Sequence, residues 1–64
     1  MTPLHYASKN GHTNIALLLI ENGADLNARD RHQNTPLDLA SRNGHKLIVD
    51  MLVEKGAALQ ALQD

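Results

Sequence analysis

The strongest constraint on this chain is a segment that occurs twice at a fixed spacing. The residues TPLHYASKNGH, at 2–12, return as TPLDLASRNGH at 35–45, which is 33 positions further on. Identities continue in the same register at later pairs: Ile15 and Ile48, Leu19 and Leu52, Gly23 and Gly56, Leu26 and Leu59. A period of this size is typical of proteins built from stacked units. We therefore predict one domain, residues 1–64, made of unit 1 (1–33) and unit 2 (34–64).

Each unit carries the start and stop signals of two short helices. In unit 1, Thr2 suits the N-cap position and Pro3 the first helical position, because proline lacks the N–H that would have no partner there. Gly11 suits the helix end, since glycine readily adopts the left-handed backbone conformation. A second helix is expected to begin near Thr13 or Asn14, either of which would cap it. Helical patterns flank the Asn-Gly pair, so we predict a helix cap there and not a β-hairpin.

Apolar residues recur at helical spacing in both units. They predict an apolar face on each second helix: Ile15, Leu18 and Leu19 in unit 1, and Ile48, Met51 and Leu52 in unit 2. Neither helix pair is expected to bury its apolar face alone, so the units are predicted to stack. Stacking would bring together Leu4, Ala7, Ile15 and Leu19 with Leu37, Ala40, Ile48 and Leu52, and Leu26 would close the connection. Residues 24–34 are predicted to form an extended turn between the units.

Composition excludes several classes of protein. The longest apolar run, residues 15–20, is far shorter than the roughly 20 residues that a membrane-spanning helix needs. Nucleic-acid binding is not expected, because the formal net charge is -1 and Tyr6 is the sole aromatic residue available for stacking on bases. The chain has no cysteine, which agrees with a reducing intracellular setting, the cytoplasm or the nucleus.

Residues capable of catalysis or metal binding are present, but without the patterns that such sites require. Four histidines are spread over the chain: His5, His12, His32 and His45. None forms the i, i+4 pair beside a glutamate that a zinc hydrolase shows, so hydrogen-bonded structural histidines are favoured over a metal bridging the units. Ser8 and Ser41, expected at the buried ends of the first helices, lack the glycine-rich elbow of a nucleophile. We predict no catalytic residue, no metal and no cofactor.

The motifs TPLHYA, NGH, LLLIENGADLNARD and TPLDLA resemble those of ankyrin repeats, and the resemblance covers almost the whole chain in two copies. It implies an all-α ankyrin-repeat solenoid, in which two stacked helix-turn-helix units are joined by a hairpin-like loop. It also implies that His5 hydrogen-bonds the cap threonine. Histidines at the positions of His12 and His45 would tie down the turn between the two helices.

Two positions depart from the family pattern. Asp38 replaces the signature histidine in the second copy, and we expect it to form a reciprocal cap with Thr35. Gln33 occupies a loop position where the family usually has glycine. A positive φ at Gln33 would incur a penalty on the order of 1 kcal/mol.

The resemblance also implies a non-catalytic protein-interaction module, or adaptor, that grips its partner with loop tips and first helices along a concave side. Carried over by position, this predicts the following partner-binding residues: Lys9, Asn10, Arg29, Arg31, His32, Asn34, Arg42 and Asn43. They include four of the six basic residues, whereas Glu21, Asp50 and Glu54 belong to second helices. We expect the partner to be a protein or peptide with an acidic surface.

A structural role is the alternative. The chain would then be a stacking unit of a longer array, or would associate with itself, and would have no ligand of its own. Apolar residues without a covering neighbour support this interpretation: Tyr6, Leu17 and Leu18 in unit 1, and Met51, Val53 and Leu62 in unit 2. A change of Arg31 and Arg42 would separate the two roles, since it would affect partner binding and leave assembly unchanged.

Overall fold

The computed structural model describes residues 1–56, and four helices make up most of that range. They are α1 (Pro3–Asn10), α2 (Thr13–Glu21), α3 (Pro36–Arg42) and α4 (Lys46–Lys55). Residues 1–56 contain no strand, so the all-α prediction is confirmed. None of these helices is long and apolar enough to be a membrane span. The predictions for Leu59 and Leu62 lie outside the described residues, and the division of the chain at residue 33 stays a prediction.

The helices stack unit on unit. Helix α1 packs against α2 within unit 1 and against α3 of unit 2, and α4 packs against α3 and α2. First helices therefore lie beside first helices, and second helices beside second helices. The two copies contact each other along both layers, as the repeated sequence predicts.

The first helix of each unit begins with a capping box. The N–H of His5 donates to Thr2 Oγ1 (3.3 Å), and the N–H of Thr2 donates to His5 Nδ1 (3.1 Å). In unit 2, the N–H of Asp38 donates to Thr35 Oγ1 (3.2 Å), and the N–H of Thr35 donates to Asp38 Oδ2 (3.0 Å). Both N-caps are as predicted. The reciprocal cap formed by Asp38 is confirmed, because a carboxylate accepts the same N–H that the imidazole accepts.

The turn between α1 and α2 also ends α1. Gly11 has a φ of 76°, in the left-handed region, and its N–H donates to the carbonyl of Ala7. The prediction that Thr13 or Asn14 caps α2 is wrong, because His12 occupies the N-cap position and makes no side-chain cap bond. The hydroxyl of Thr13 donates back to the carbonyl of Gly11 instead (3.5 Å). This tight turn leaves no room for a separate capping residue.

The apolar core lies between the two units. Its buried members are Leu4, Ala7, Ala16, Ile20, Leu37, Ala40, Ile48 and Leu52, and Leu26 packs against them as predicted. The predicted apolar face of α2 is wrong for Ile15 and Leu18, which are exposed, whereas Leu19 is partly buried and packs against the core. Helix α2 directs Ala16 and Ile20 toward unit 2, whereas the face with Ile15 is the one that α4 uses to contact the preceding unit. Within residues 1–56, no unit precedes α2.

Ser8 and Ser41 occupy equivalent repeat positions, and they also differ in burial. Ser8 is fully buried and Ser41 is exposed, so the expectation that both lie at buried helix ends is wrong for Ser41. Unit 2 covers the side of α1 that carries Ser8, and nothing in the described range covers the same side of α3. The hydroxyl of Ser8 has no hydrogen-bond partner among residues 1–56. A buried hydroxyl without a partner is unfavourable by about 1–3 kcal/mol.

Ser8→Ala should therefore leave stability unchanged or raise it by about 1–2 kcal/mol, because alanine removes the unpaired hydroxyl without opening a large cavity. Ser41→Ala is the matched control, since it brings the same gain in helix propensity at an exposed site. Urea unfolding of both variants gives the difference. A loss of stability in Ser8→Ala alone would contradict the prediction.

Candidate protein-binding surface

The loop between the units is organised by one carboxylate. Oδ1 of Asp30 accepts the N–H of His32 (2.8 Å) and the N–H of Asn34 (2.9 Å). The backbone closes the same loop, because the N–H of Asp30 donates to the carbonyl of Asn34 and the N–H of Gln33 donates to the carbonyl of Asp30 (both 2.9 Å). Gln33 has a φ of 67°, as its replacement of the family glycine suggested. The left-handed conformation of Gln33 is strained by about 1 kcal/mol, and these hydrogen bonds maintain it.

Asp30 is a structural residue that the sequence analysis missed. Its side chain is almost fully buried, although the carboxylate is charged. The N–H of Asn34 lowers the pKa of Asp30 below the usual 3.8, and the N–H of His32 and the nearby imidazoles of His5 and His32 act in the same direction against the effect of burial. The one available signal was its spacing, since an aspartate often accepts the N–H of the residue two positions later.

His5 connects the cap of α1 to this loop. Its Nδ1 accepts the N–H of Thr2, so the hydrogen of the neutral ring is on Nε2, which donates to the carbonyl of Asn34 (2.8 Å). Nδ1 also lies 2.8 Å from Thr2 Oγ1, which confirms the predicted bond to the cap threonine. The fully buried imidazole thus joins the start of unit 1 to the start of unit 2.

His45 forms the second polar link between the units. Its Nε2 donates to the carbonyl of Lys9 at the end of α1 (3.0 Å). The prediction for His45 needs one correction: the inter-helix turn that it ties down is that of the preceding unit, because its acceptor lies at the end of α1. His12 makes no side-chain hydrogen bond within residues 1–56, where no preceding unit is present.

Gly11→Ala should destabilise the protein more than Gly44→Ala, although both glycines have a φ of 76° and both variants incur about 1 kcal/mol of left-handed strain. A Cβ at Gly11 would lie 2.7 Å from Cε1 of His45, whereas one at Gly44 would meet no described atom within 4 Å. His45 must move and lose its bond to Lys9. We expect an additional loss of about 1–3 kcal/mol for Gly11→Ala, measured by urea unfolding. Equal losses would show that the His45 contact has no effect.

The predicted partner-binding residues are mostly exposed. Arg42 Nη2 donates to the side-chain carbonyl of Asn34 (3.1 Å), which brings the end of α3 to the loop. Arg29 Nη1 donates to the carbonyl of Gln33 (3.2 Å), and Asn34 is half-buried. The side chains of Lys9, Arg31 and His32 make no hydrogen bond or ion pair to any described residue. None of the contacts among residues 1–56 brings the Lys9 side chain to the loop.

Two of the predicted residues have structural uses. Asn10 Nδ2 donates to the carbonyl of Tyr6 (3.0 Å), and Asn43 Nδ2 donates to the carbonyl of Leu39 (2.8 Å). Each amide therefore closes the last turn of its own helix. Their side-chain amides already have a partner, although both residues are exposed.

No group of three or more metal-ligating side chains occurs in residues 1–56.

A surface hollow of about 260 Å³ lies at the second inter-helix turn and is lined by Thr13, Gly44, His45, Lys46, Leu47 and Ile48. None of these residues belongs to the predicted partner-binding set. The hollow carries a single side chain that is always cationic, Lys46, so its chemistry differs from that of the arginine-bearing loop.

Asp30→Asn should lower the free energy of unfolding near neutral pH. It should also make that free energy depend less on pH in the acid range. The folded protein favours the ionised form of Asp30, because its pKa is lower in the folded than in the unfolded state. The stabilisation from this carboxylate is therefore complete above the ordinary pKa of 3.8, and it is lost as the pH falls through the lower pKa of the folded state. Urea midpoints followed by circular dichroism from about pH 2 to about pH 7 measure the effect. The exposed Asp50→Asn controls for the loss of one negative charge. If stability falls with acid as steeply in Asp30→Asn as in the parent, the role assigned to this carboxylate is contradicted.

Comparison with known proteins gives two matches. Residues 1–63 match a family described as ankyrin repeats, whose profile holds three copies, against the two copies identified in the sequence. The chain is also similar to a putative ankyrin repeat protein of Rickettsia bellii (strain RML369-C), with 59% identity over 29 residues. That alignment covers 45% of this chain and 12% of the relative. The chain therefore corresponds to a small part of the length of that protein.

Proposed function

This chain belongs to the ankyrin repeat family, and from that premise we propose that it is a non-catalytic module that binds an acidic protein or peptide. Ankyrin repeats are generally protein-interaction modules and typically not enzymes. The proposed binding surface is the rim, defined by the eight residues Lys9, Asn10, Arg29, Arg31, His32, Asn34, Arg42 and Asn43. We place the module inside the cell, in the cytoplasm or the nucleus, because the chain has no cysteine.

One observation carries this proposal: within residues 1–56, no ion pair joins a cationic side chain of the rim to a carboxylate. Asp38 lies one helical turn before Arg42 in α3, but its carboxylate accepts the N–H of Thr35. The nearest carboxylate in the sequence, Asp30, is buried and accepts backbone N–H groups of its own loop. Three acidic residues belong to second helices: Glu21 in α2, and Asp50 and Glu54 in α4. Cations that have no ion-pair partner on an exposed rim attract an acidic surface and contribute chiefly to the rate of encounter and to orientation.

The loop also offers a defined geometry. Its backbone is closed by the bonds to Asp30, and Arg42 is held against it through Asn34. A loop that is ordered before binding loses less conformational entropy when a partner associates. This supports a role for Arg31 and His32, which project from the closed loop as exposed side chains without a partner in residues 1–56.

The double variant Arg31→Ala/Arg42→Ala should weaken binding of an acidic peptide pool about two- to thirtyfold, since each exposed charge pair contributes about 0.2–1 kcal/mol. Fluorescence anisotropy with pools rich in Asp and Glu or in Lys and Arg provides the measurement, at about 50 mM and about 300 mM salt to vary screening. The matched control is Lys46→Ala/Lys55→Ala, which removes two exposed charges from α4.

We expect the parent chain to prefer the acidic pool, and to do so more strongly at low salt. The rim variant should lose this preference, and the α4 variant should keep it. Equal binding of the two pools, or equal loss in both double variants, would contradict the proposal. A structural role remains the second candidate function, and the exposed apolar residues of unit 1 favour it. In that case the rim variant would keep the assembly state of the parent, as measured by sedimentation.

A further inference from the structure

Three asparagines of this chain are followed by glycine, and each Asn-Gly pair lies at the end of a helix. The pairs are Asn10–Gly11 at the end of α1, Asn22–Gly23 at the end of α2 and Asn43–Gly44 at the end of α3. Asparagine is a chemically labile residue. A following glycine favours its deamidation, because the glycine nitrogen has no neighbouring Cβ to hinder its approach to the side-chain amide.

Deamidation joins the glycine nitrogen to the asparagine side chain. At the third pair, the backbone nitrogen of Gly44 attacks Cγ of Asn43, and the new N–C bond replaces the bond between Cγ and Nδ2. Nδ2 leaves as ammonia with the proton that the Gly44 nitrogen gives up. Water then hydrolyses the cyclic imide at either of its carbonyls, which yields aspartate or isoaspartate. No oxidant or reductant takes part.

The folded helix end holds the two reacting groups apart. Asn43 Nδ2 donates to the carbonyl of Leu39 (2.8 Å), and the N–H of Gly44 donates to the carbonyl of Ser41 (3.2 Å). The imide ring requires Cβ of Asn43 and the Gly44 nitrogen on the same side of the Cα–C bond, and the ψ of 7° at Asn43 does not give this arrangement. The last turn must therefore open before the ring forms, so the rate depends on how often that turn opens.

The internal repeat provides two chemically equal sites. Residues 10–12 and 43–45 both read Asn-Gly-His, so the local sequence gives them nearly the same intrinsic reactivity. Their helix ends are also alike, because both glycines have a φ of 76° and both asparagine amides donate to the carbonyl four residues earlier. A difference in rate between the two sites must therefore come from what packs against them.

Unit 2 covers the first site, and no described residue covers the second in the same way. The imidazole of His45 lies so close to Gly11 that a Cβ there would be 2.7 Å from Cε1, and Nε2 donates to the carbonyl of Lys9 (3.0 Å). This ring must leave before the end of α1 opens. A Cβ at Gly44 would meet no described atom within 4 Å, and within residues 1–56 no side chain donates to the Arg42 carbonyl. The end of α3 therefore opens without displacing a neighbour.

We propose that Asn43 is a deamidation site and that the contact from His45 protects Asn10 from the same reaction. Asn22 also precedes a glycine that no described atom covers, so it belongs with Asn43 in reactivity. Of these two, only Asn43 lies in the rim, where its modification adds a negative charge next to Arg42. The modification itself does not depend on an acidic partner, but its effect on binding rests on the proposed function.

Deamidation rates of the complete 64-residue chain test the proposal. The chain is incubated under native conditions and, in parallel, unfolded in guanidinium chloride, where the local sequence alone sets the rates. Tandem mass spectrometry of proteolytic peptides identifies each asparagine whose amide has become a carboxylate, and chromatography separates isoaspartate from aspartate. The ratio of the unfolded rate to the folded rate gives the protection of each site.

We expect the protection of Asn10 to exceed that of Asn43 by about three- to tenfold, which is the effect of the one hydrogen bond by which the two helix ends differ. Asn22 should resemble Asn43. His45→Ala should lower the protection of Asn10 and leave that of Asn22 unchanged. Asn22 is the internal reference for this variant, because His45 is also a sequence neighbour of Asn43.

Equal protection of Asn10 and Asn43 in the parent chain would overturn the proposal. An equal loss of protection at Asn10 and Asn22 in His45→Ala would also overturn it. Either result would mean that the contact from His45 does not control the reaction.

The effect on binding is tested separately with Asn43→Asp, which carries the charge that deamidation produces. The matched control is Asn22→Asp, because the Asn22 amide makes the equivalent bond to the carbonyl of Leu18 at the end of α2. Asn43→Asp should weaken binding of the acidic peptide pool by about 1.4- to 5-fold, as expected for one exposed charge, and Asn22→Asp should not. Equal binding by both variants would overturn the effect on the rim, whereas the rates above test the modification alone.

Discussion

The structure depends on imidazole-to-carbonyl hydrogen bonds that cross from one unit to the other. His5 takes part in the capping box of α1 through Nδ1 and donates to the Asn34 carbonyl through Nε2. Because both ring nitrogens have partners, the imidazole is accommodated in full burial. The aliphatic core supplies the larger share of the apolar contact, but these bonds fix the register in which the units stack. The start of a helix and the contact between units are thus one network.

That network explains which features could be predicted from the sequence. The four helices, the N-caps Thr2 and Thr35, the reciprocal cap of Asp38 and the left-handed glycine of the first turn follow from local chemistry, and the structure confirms them. Burial is not local. Ile15 and Ile48 are the same residue at the same repeat position, yet only Ile48 is buried, because in the described part of the chain only unit 2 has a neighbour on that side. Periodicity identified apolar positions on α2 but could not specify which of them a neighbour covers.

The candidate surface was predictable to a lesser degree. Family position selected Lys9, Arg31 and His32, whose side chains lack partners in the described range, but it also selected Asn10 and Asn43, whose amides close their own helices. The role of Asp30 depends on a loop conformation that includes a left-handed glutamine. The family resemblance suggested that backbone conformation, but it did not indicate which side chain closes the loop. An aspartate among arginines suggests an exposed ion pair, whereas here the carboxylate accepts backbone N–H groups and leaves the arginines unneutralised.

Asn34 connects the two surfaces. Its backbone carbonyl accepts from His5 and its side-chain carbonyl accepts from Arg42, so one residue belongs both to the contact between units and to the rim. Its N–H is bound to Asp30, and the residue therefore has three fixed partners from three parts of the chain. A partner that withdraws Arg42 from Asn34 would remove one of the bonds that hold this loop against the cap of α1. Stacking and partner binding are therefore expected to be energetically coupled at this residue, with the sign set by whether a partner keeps or breaks the bond to Arg42.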